Sequence, residues 1–486
     1  MATLRIVENG LVNILTFDAP CPLDALYRTH NRLCGGHGTC RKCQITVSGH
    51  VSPPNEREKS AGTRLACQIV LLGDCEITLP DPMVFMNIET RSAATHPPLH
   101  PMGERYGIAI DVGTTTLAAQ LFHMKTGACL CTLCAPNPQH RIAADVIGRI
   151  EAAMGGALFE LQGQITGALE ALMDGLCNNA AISRKHVDAL VVTGNTVMLH
   201  FLTGADPTPL SRWPFVAITL FGGFFPLLGM QAYLPPCISA FVGADITCAL
   251  LSVDQTTPEK PWLLADIGTN GELALWANDQ LYTCATAAGP ALEGGNIRMG
   301  CSAVKGAIDK VWLEDGHLRC HVLGGGKATG ICGSGLVDAI AALLKLGVIT
   351  SSGAMVEPFP LADGVSLFPE DVRQVQLAKA AICAGIETLM DLAAIRAEDL
   401  SAFYIAGGFG TEMSLESAAA IGLVPHALMP LAKSLGNAAL AGASRIMMDT
   451  SCMERAKAIC AQSAPVVLGG NPGFNDRYVN CMPFGT

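Results

Sequence analysis

Residues 107–122, GIAIDVGTTTLAAQLF, and residues 262–277, WLLADIGTNGELALWA, are two versions of one pattern. Each has an apolar run suited to a buried strand, an Asp-apolar-Gly-Thr turn and a second apolar run. Gly lets a ligand approach the backbone, successive N–H groups form an anion nest, and Thr hydroxyls add donors, so each turn is a candidate phosphate-binding hairpin. One copy alone would suit an ordinary hairpin. Two copies, with Asp111 and Asp266 155 residues apart, predict two homologous halves facing each other across a ligand cleft rather than a short-period solenoid. A carboxylate repels phosphate, so Asp111 and Asp266 are assigned to Mg²⁺ or to orienting water, with turn capping as the structural alternative. Gly113, Thr114 and Thr115, with Gly268, Thr269 and Asn270, are expected to manage the phosphates.

Around the two turns, apolar runs such as ALVVTGN alternate with helical patterns such as DVIGRIEAAM and ALFELQGQITGALEALM, which reads as a bilobal α/β fold. Residues 106–255 are assigned to the first half and 256–486 to the second. A third segment, FYIAGGFG, ends in a glycine-rich turn whose Gly407 and Gly408 would let adenosine lie against backbone. GGGKATG at 324–330 is not a Walker A loop, because Ala328 stands where Ser or Thr is needed, and GICGSGLVDAI at 330–340 reads as a helix start, not a nucleophile elbow. The loop from Gly289 to Gly306 carries Glu293 and Arg298, which could face nucleotide or partner or form a buried ion pair.

Residues 1–90 differ in character: short β-rich runs, LRIVENG, LVNILTF, CQITVSG and CEITLP, with one short helix expected near Leu23 to Asn31. Within them lies Cys34-GGHGT-Cys40-RK-Cys43, followed by Cys67 in RLACQI. Four thiolates in a C-x5-C-x2-C pattern with a distant fourth cysteine suit an iron-sulfur cluster, since a structural zinc site usually shows two close pairs. Cys75 is read as a small buried hydrophobe, and Cys129, Cys131 and Cys134 in ACLCTLC as a chance grouping or a second metal site. RSAATHPPLHPMGER at 91–105 is a proline-rich linker.

Composition narrows the function. Half of the 486 residues are apolar, 15% are charged, and the net charge is −11, which argues against nucleic acid and anionic membrane as partners. Twenty cysteines with no signal-peptide pattern at the start suggest reduced thiols in an anaerobic cytoplasm. The uncharged stretch from Trp213 to Ala244 is long enough for a membrane span, but four prolines and a Gly-Gly pair divide it.

The cysteine loop and its strands resemble a 2Fe-2S ferredoxin domain of the plant-type, β-grasp fold, with the first spacing closer to the adrenodoxin-type branch. The two turns and the FYIAGGFG segment, in that order, resemble the ATPase superfamily of acetate and sugar kinases, Hsp70 and actin (ASKHA). NPQHRIAADVIGRI, VTGNTVMLHFL, FVGADI, AGPALEGGNIRMG and AKAAICAGI are similar to one branch, the reductive activators of corrinoid-dependent methyltransferase systems, in a short architecture with little room for an additional middle domain. The resemblance implies ATP-dependent, one-electron reduction of a corrinoid protein from Co(II) to Co(I), with Cys34, Cys40, Cys43 and Cys67 holding a 2Fe-2S cluster. It also implies Mg²⁺ with ATP, an upstream low-potential electron donor and a homodimer. A small-molecule kinase with a redox sensor, or an activator of a radical dehydratase, is the alternative.

Overall fold

In a computed structural model the described residues are 1–8, 11–26, 43–61, 64–78, 97–253, 260–408, 410 and 413–485. Cys34, Cys40, Phe409, residues 91–96 of the linker and the junctions expected near residues 90 and 255 lie outside them.

The first unit pairs β1 (Ala2–Glu8), β2 (Leu11–Phe17), β3 (Cys21–Pro22), β4 (Gln44–Val51), β5 (Arg64–Leu65) and β6 (Val70–Thr78). The order is β2-β1-β6-β4-β5, with β3 on β6. β1 runs parallel to β6, and the other pairs are antiparallel. Alternation along the strands sends Leu4, Ile6, Ile45, Leu71 and Ile77 into one core, joined by Cys75 as expected of a small hydrophobe. Helix Leu23–Leu26 starts where one was expected, and a second helix, Glu56–Ala61, was not foreseen. Buried Glu58 explains that helix: its carboxylate receives the N–H groups of Asn55 and Leu65 and the guanidinium of Arg64, at 2.9–3.0 Å. Burial opposes its ionisation, but these donors outweigh burial and hold the carboxyl below its ordinary value.

The remaining chain forms two sheets. The first uses β7 (Tyr106–Val112), β8 (Thr116–His123), β9 (Ala128–Pro136), β10 (Val187–Gly194), β11 (Gly223–Leu227) and β12 (Met230–Leu234), in the order β11-β12-β10-β7-β8-β9. The second begins with β13 (Trp262–Ile267), β14 (Gly271–Ala277) and β15 (Gln280–Thr286). A small sheet of β16 (Ala307–Glu314), β17 (His317–Val322) and β18 (Gly330–Ile331) and a hairpin of β19 (Phe359–Ala362) and β20 (Val365–Leu367) interrupt it. β21 (Ala402–Ala406), β22 (Ala432–Gly436) and β23 (Ser463–Pro465) complete the order β22-β21-β13-β14-β15-β23.

The sheets share a plan: an antiparallel three-strand meander, with a later strand added parallel to the first strand of the meander, β10 to β7 and β21 to β13. Each has its own core, and a third core joins them. That shared core takes Ala109 and Val191 from the first sheet, Leu264 and Ala274 from the second, and apolar residues of helices Ala244–Ser252 and Ala438–Met448. The uncharged stretch from Trp213 is spent on β11, β12 and the approach to helix Ala244–Ser252. Among the described residues no helix is long and apolar enough to cross a membrane.

The two joining helices pack through glycine. A Cβ at Gly442 would lie 1.9 Å from the carbonyl oxygen of Cys248, a contact that only backbone displacement can relieve. Gly442→Ala is expected to cost about 1–3 kcal/mol or more. Gly163→Ala, in helix Leu158–Asn179 with nothing within 4 Å of the added methyl, should be neutral or stabilise by up to about 1 kcal/mol. Thermal unfolding of the two variants should shift in opposite directions, and an unshifted Gly442→Ala would contradict the close crossing.

Candidate functional site

Both Asp-apolar-Gly-Thr turns sit at the mouths of their meanders, and they meet. Thr115 Oγ1 lies 3.0 Å from Thr269 Oγ1, a hydroxyl contact between residues 154 apart in sequence. The first turn is tight because Gly113 N–H donates to the Thr116 carbonyl at 3.0 Å, where a Cβ on Gly113 would stand 2.5 Å from that oxygen.

Beneath the first turn is a polar buttress supplied by residues 137–150. Asn137 Nδ2 donates to the Gly113 carbonyl at 2.9 Å and its N–H to the Thr115 carbonyl at 2.8 Å. Arg149, fully buried, donates to the Thr114 carbonyl at 2.7 Å and to Gln139 Oε1 at 3.1 Å. Its burial, only partly offset by Asp145, brings the guanidinium down to about 9, so this cation is held by carbonyl dipoles rather than by an adjacent ion pair. Asn195, the N-cap of helix Thr196–Thr203, donates to Thr114 Oγ1 at 3.0 Å. Thr114 is thereby turned inward, and Thr115 is the more exposed of the two.

The second turn is gripped from another direction. Glu293 accepts from Thr269 N–H at 3.2 Å and from Thr269 Oγ1 at 2.5 Å. Arg298 goes elsewhere, its N–H to Asp371 at 2.7 Å and its guanidinium 4.1 Å from the centre of the Phe368 ring. The expected alternative of a Glu293–Arg298 pair is therefore replaced by two separate anchors.

Around the turns, carboxylates crowd a walled crevice. Burial, with only Asn437 Nδ2 donating to it at 3.0 Å, pushes Asp111 up to about 6. Burial and the charge of Asp111 push Asp245 up to about 7, and burial with Asp245, Asp111 and Glu293 pushes Asp266 up to about 8. Glu272, fully enclosed, is raised for the same reasons despite a hydrogen bond from Asn270. Like charges in a low-dielectric crevice cannot all ionise unless a cation joins them. No three of these carboxylates converge closely enough to chelate an ion among the described residues.

Gly407 has φ +95°, and a Cβ there would lie 2.6 Å from Asp266 Oδ1 and 2.9 Å from the Ile267 carbonyl. Its glycine is demanded by close approach to the second turn, a different reason from the adenosine contact expected. Gly408 faces open space, where a ligand could lie against backbone. GICGSGLVDAI forms helix Gly333–Lys345 with Cys332 as its N-cap, as expected.

In the β-rich unit, Cys43 Sγ lies 3.3 Å from Cys67 Sγ, and Gln68 Nε2 donates to Cys67 Sγ at 3.5 Å. The Ala66 N–H to Cys43 carbonyl bond, 2.8 Å, ties the two segments together. Two thiols from separate elements brought to one point fit a shared metal centre. The ACLCTLC cysteines do not gather: they lie along β9, where Cys131 Sγ donates to the Leu176 carbonyl at 3.4 Å and Cys134 is buried.

Comparison with known proteins agrees in fold and family. Residues 260–486 match the family model described as the C-terminal domain of RACo, the ASKHA domain, and residues 106–256 match the RACo middle region. The segment read as the first ATPase half is thus what this family terms its middle region, so the expectation of little room for one is corrected. The corrinoid activation enzyme RamQ of Eubacterium limosum is 33% identical, the match covering 78% of this chain and 70% of that protein. The [Co(II) methylated amine-specific corrinoid protein] reductase of Methanosarcina barkeri is 28% identical, over 77% and 76%. A solved structure of a reductive activator for corrinoid, iron-sulfur protein superposes with a TM-score of 0.73 at 25% identity, covering 99% of this chain and 98% of that one. With duplicated sheets, opposed turns and relatives matched along most of their length, the chain belongs to the family of corrinoid reductive activators built on an ASKHA domain.

Proposed function

We propose that this chain uses ATP to drive one-electron reduction of a corrinoid protein from Co(II) to Co(I), returning it to a methyltransferase system. The family membership supports the reaction. The observation that carries the nucleotide part is the 3.0 Å approach of Thr115 to Thr269 inside a ring of carboxylates.

In this reading the two turns meet the phosphates one from each half: Thr115 and Gly268 offer donors, Gly113 shapes the first turn through its bond to Thr116, and Thr269, whose N–H and hydroxyl are given to Glu293, sets the second. Thr114 acts from behind, fixed by Asn195 and Arg149. Asp111 and Asp266, with Asp245 and Glu272, would hold Mg²⁺, which when bound would neutralise phosphate charge, and Asp111 and Asp266 would orient water at the phosphates. Asn270 steadies Glu272, and Gly407 and Gly408 leave room for the nucleoside. Because donors come from both halves, nucleotide binds the closed arrangement better than the open one, which is the condition for ATP to shift the conformation.

Cys34, Cys40, Cys43 and Cys67 would hold a 2Fe-2S cluster, which when bound supplies one electron at low potential. Gln68 adds a donor beside Cys67. An upstream low-potential donor reloads it, and the protein works in the cytoplasm as a homodimer.

Asp266→Asn should lower ATP-dependent Co(II) reduction by at least about 100-fold while leaving the visible spectrum of the reconstituted protein unchanged. Cys43→Ser should do the reverse, retaining basal ATP hydrolysis while losing electron delivery. If either variant damages both activities equally, the division of labour is wrong.

A pH dependence follows from the raised carboxyls. The unfolded chain releases these protons near pH 4, whereas the native protein keeps them until about pH 6–8. Ligand-free stability should therefore fall as pH rises through that window. Mg²⁺ and ATP should displace the protons, so their stabilising effect on thermal unfolding should be larger at pH 8 than at pH 6, and Asp266→Asn should flatten the ligand-free slope. A slope of opposite sign would contradict the crowding.

A further inference from the structure

The long helix Pro369–Leu392 carries Cys383 and Glu387 four residues apart, and so on one face. Cys481, just beyond helix Pro472–Asn480, projects onto that face. One ligand atom from each of the three lies within 4.8 Å of the others, and Cys481 Sγ is 3.8 Å from Glu387 Oε2. Among the described residues this is the single group of three or more His, Cys, Asp or Glu side chains with such spacing.

We propose that Cys383, Cys481 and Glu387 form a binding site for a thiophilic divalent cation of the zinc class, which fastens residues 481–485 to the long helix. Ligand separations near 4 Å are the edges of a tetrahedron whose centre lies about 2.3 Å from each sulfur and about 2 Å from a carboxylate oxygen. The chemistry also selects the ion, since thiolates favour zinc over Mg²⁺ or Ca²⁺. Both cysteines are buried while Glu387 is exposed, so the site has an entrance from solvent and room for water as a fourth ligand.

Charge balance favours the same ion. Lys379, one turn before Cys383, is fully buried; its Nζ donates to the Pro483 carbonyl and lies 5.5 Å from the centre of the Phe484 ring. An enclosed ammonium held by a carbonyl and an aromatic face is poorly compensated without a nearby anion. Two thiolates and a carboxylate around a divalent cation carry one net negative charge, which Lys379 neutralises. Binding is acid-base chemistry: two thiols lose their protons to solvent as two metal-sulfur bonds form, and nothing is oxidised. The segment is already aligned, because Gln376 Nε2 donates to the Met482 carbonyl at 3.2 Å and Phe484 N–H to the Ser351 carbonyl at 2.7 Å.

The test uses the anaerobic protein with its cluster reconstituted, equilibrated with zinc chloride and freed of loosely held metal. Wild type should retain one zinc per chain. Cys481→Ser and Cys383→Ser should lose that zinc with their iron content unchanged, and Glu387→Gln, an exposed change unlinked to folding, should weaken zinc binding at least about tenfold. Cobalt(II) in place of zinc should give a thiolate charge-transfer band in difference spectra that Cys481→Ser abolishes. Zinc bound equally by wild type and Cys481→Ser, no zinc retained by wild type, or recovery of Cys383 and Cys481 as a disulfide would each overturn the proposal.

Discussion

Carboxylates that cannot all be charged at once govern this molecule's cleft. Asp111, Asp245, Asp266 and Glu272 come from four separate elements; burial raises the pKa of all four, and at Asp245, Asp266 and Glu272 the charge of neighbouring carboxylates adds to it. Hydrogen bonds from Asn437 and Asn270 relieve only part of that conflict. On the proposed function, a cation carried in with a polyphosphate would remove it, and best with both turns on the same ligand. That would give ATP, on the proposed function, a reason to favour closure, since a nucleotide bound equally by open and closed forms could drive nothing.

The rest of the fold serves that geometry. Two sheets of one plan set one turn each at the mouth of a meander, and a core shared between them holds the helices that join the halves. Gly442 lets those helices approach at the Cys248 carbonyl. Below the first turn, Arg149 and Asn137 tie its carbonyls, while Glu293 secures the second from a different segment. On the proposed function, rigid turns on joined bodies would let a small change in closure alter the distance between the two turns, as a nucleotide-gated conformational step requires.

How much of this was legible depended on how local each signal is. The meanders could be read because strand, turn and strand are contiguous, and their repetition revealed two halves. Cys43 and Cys67 could be paired from loop chemistry, and they meet. Asn437 could not be found, because it reaches Asp111 across 326 residues and an N-cap asparagine looks alike wherever it occurs. Asn195, Asp245 and Arg149 lay inside quoted segments, yet their contacts depend on how the first half folds back on its own turn. At Gly407 the sequence showed only glycine richness; that a Cβ there would meet the side chain of Asp266 is visible only in the fold. The ACLCTLC cysteines fit the chance grouping offered for them, sequence proximity without spatial convergence, because a strand spreads its residues along its length.

The central claim is that the opposed turns couple ATP to electron delivery, and the most direct measurement follows the visible absorption of a Co(II) corrinoid protein mixed anaerobically with this protein and a low-potential reductant. The account predicts conversion to the Co(I) spectrum when Mg²⁺ and ATP are present and little conversion when a non-hydrolysable analogue replaces ATP. Equal conversion with and without nucleotide would contradict it.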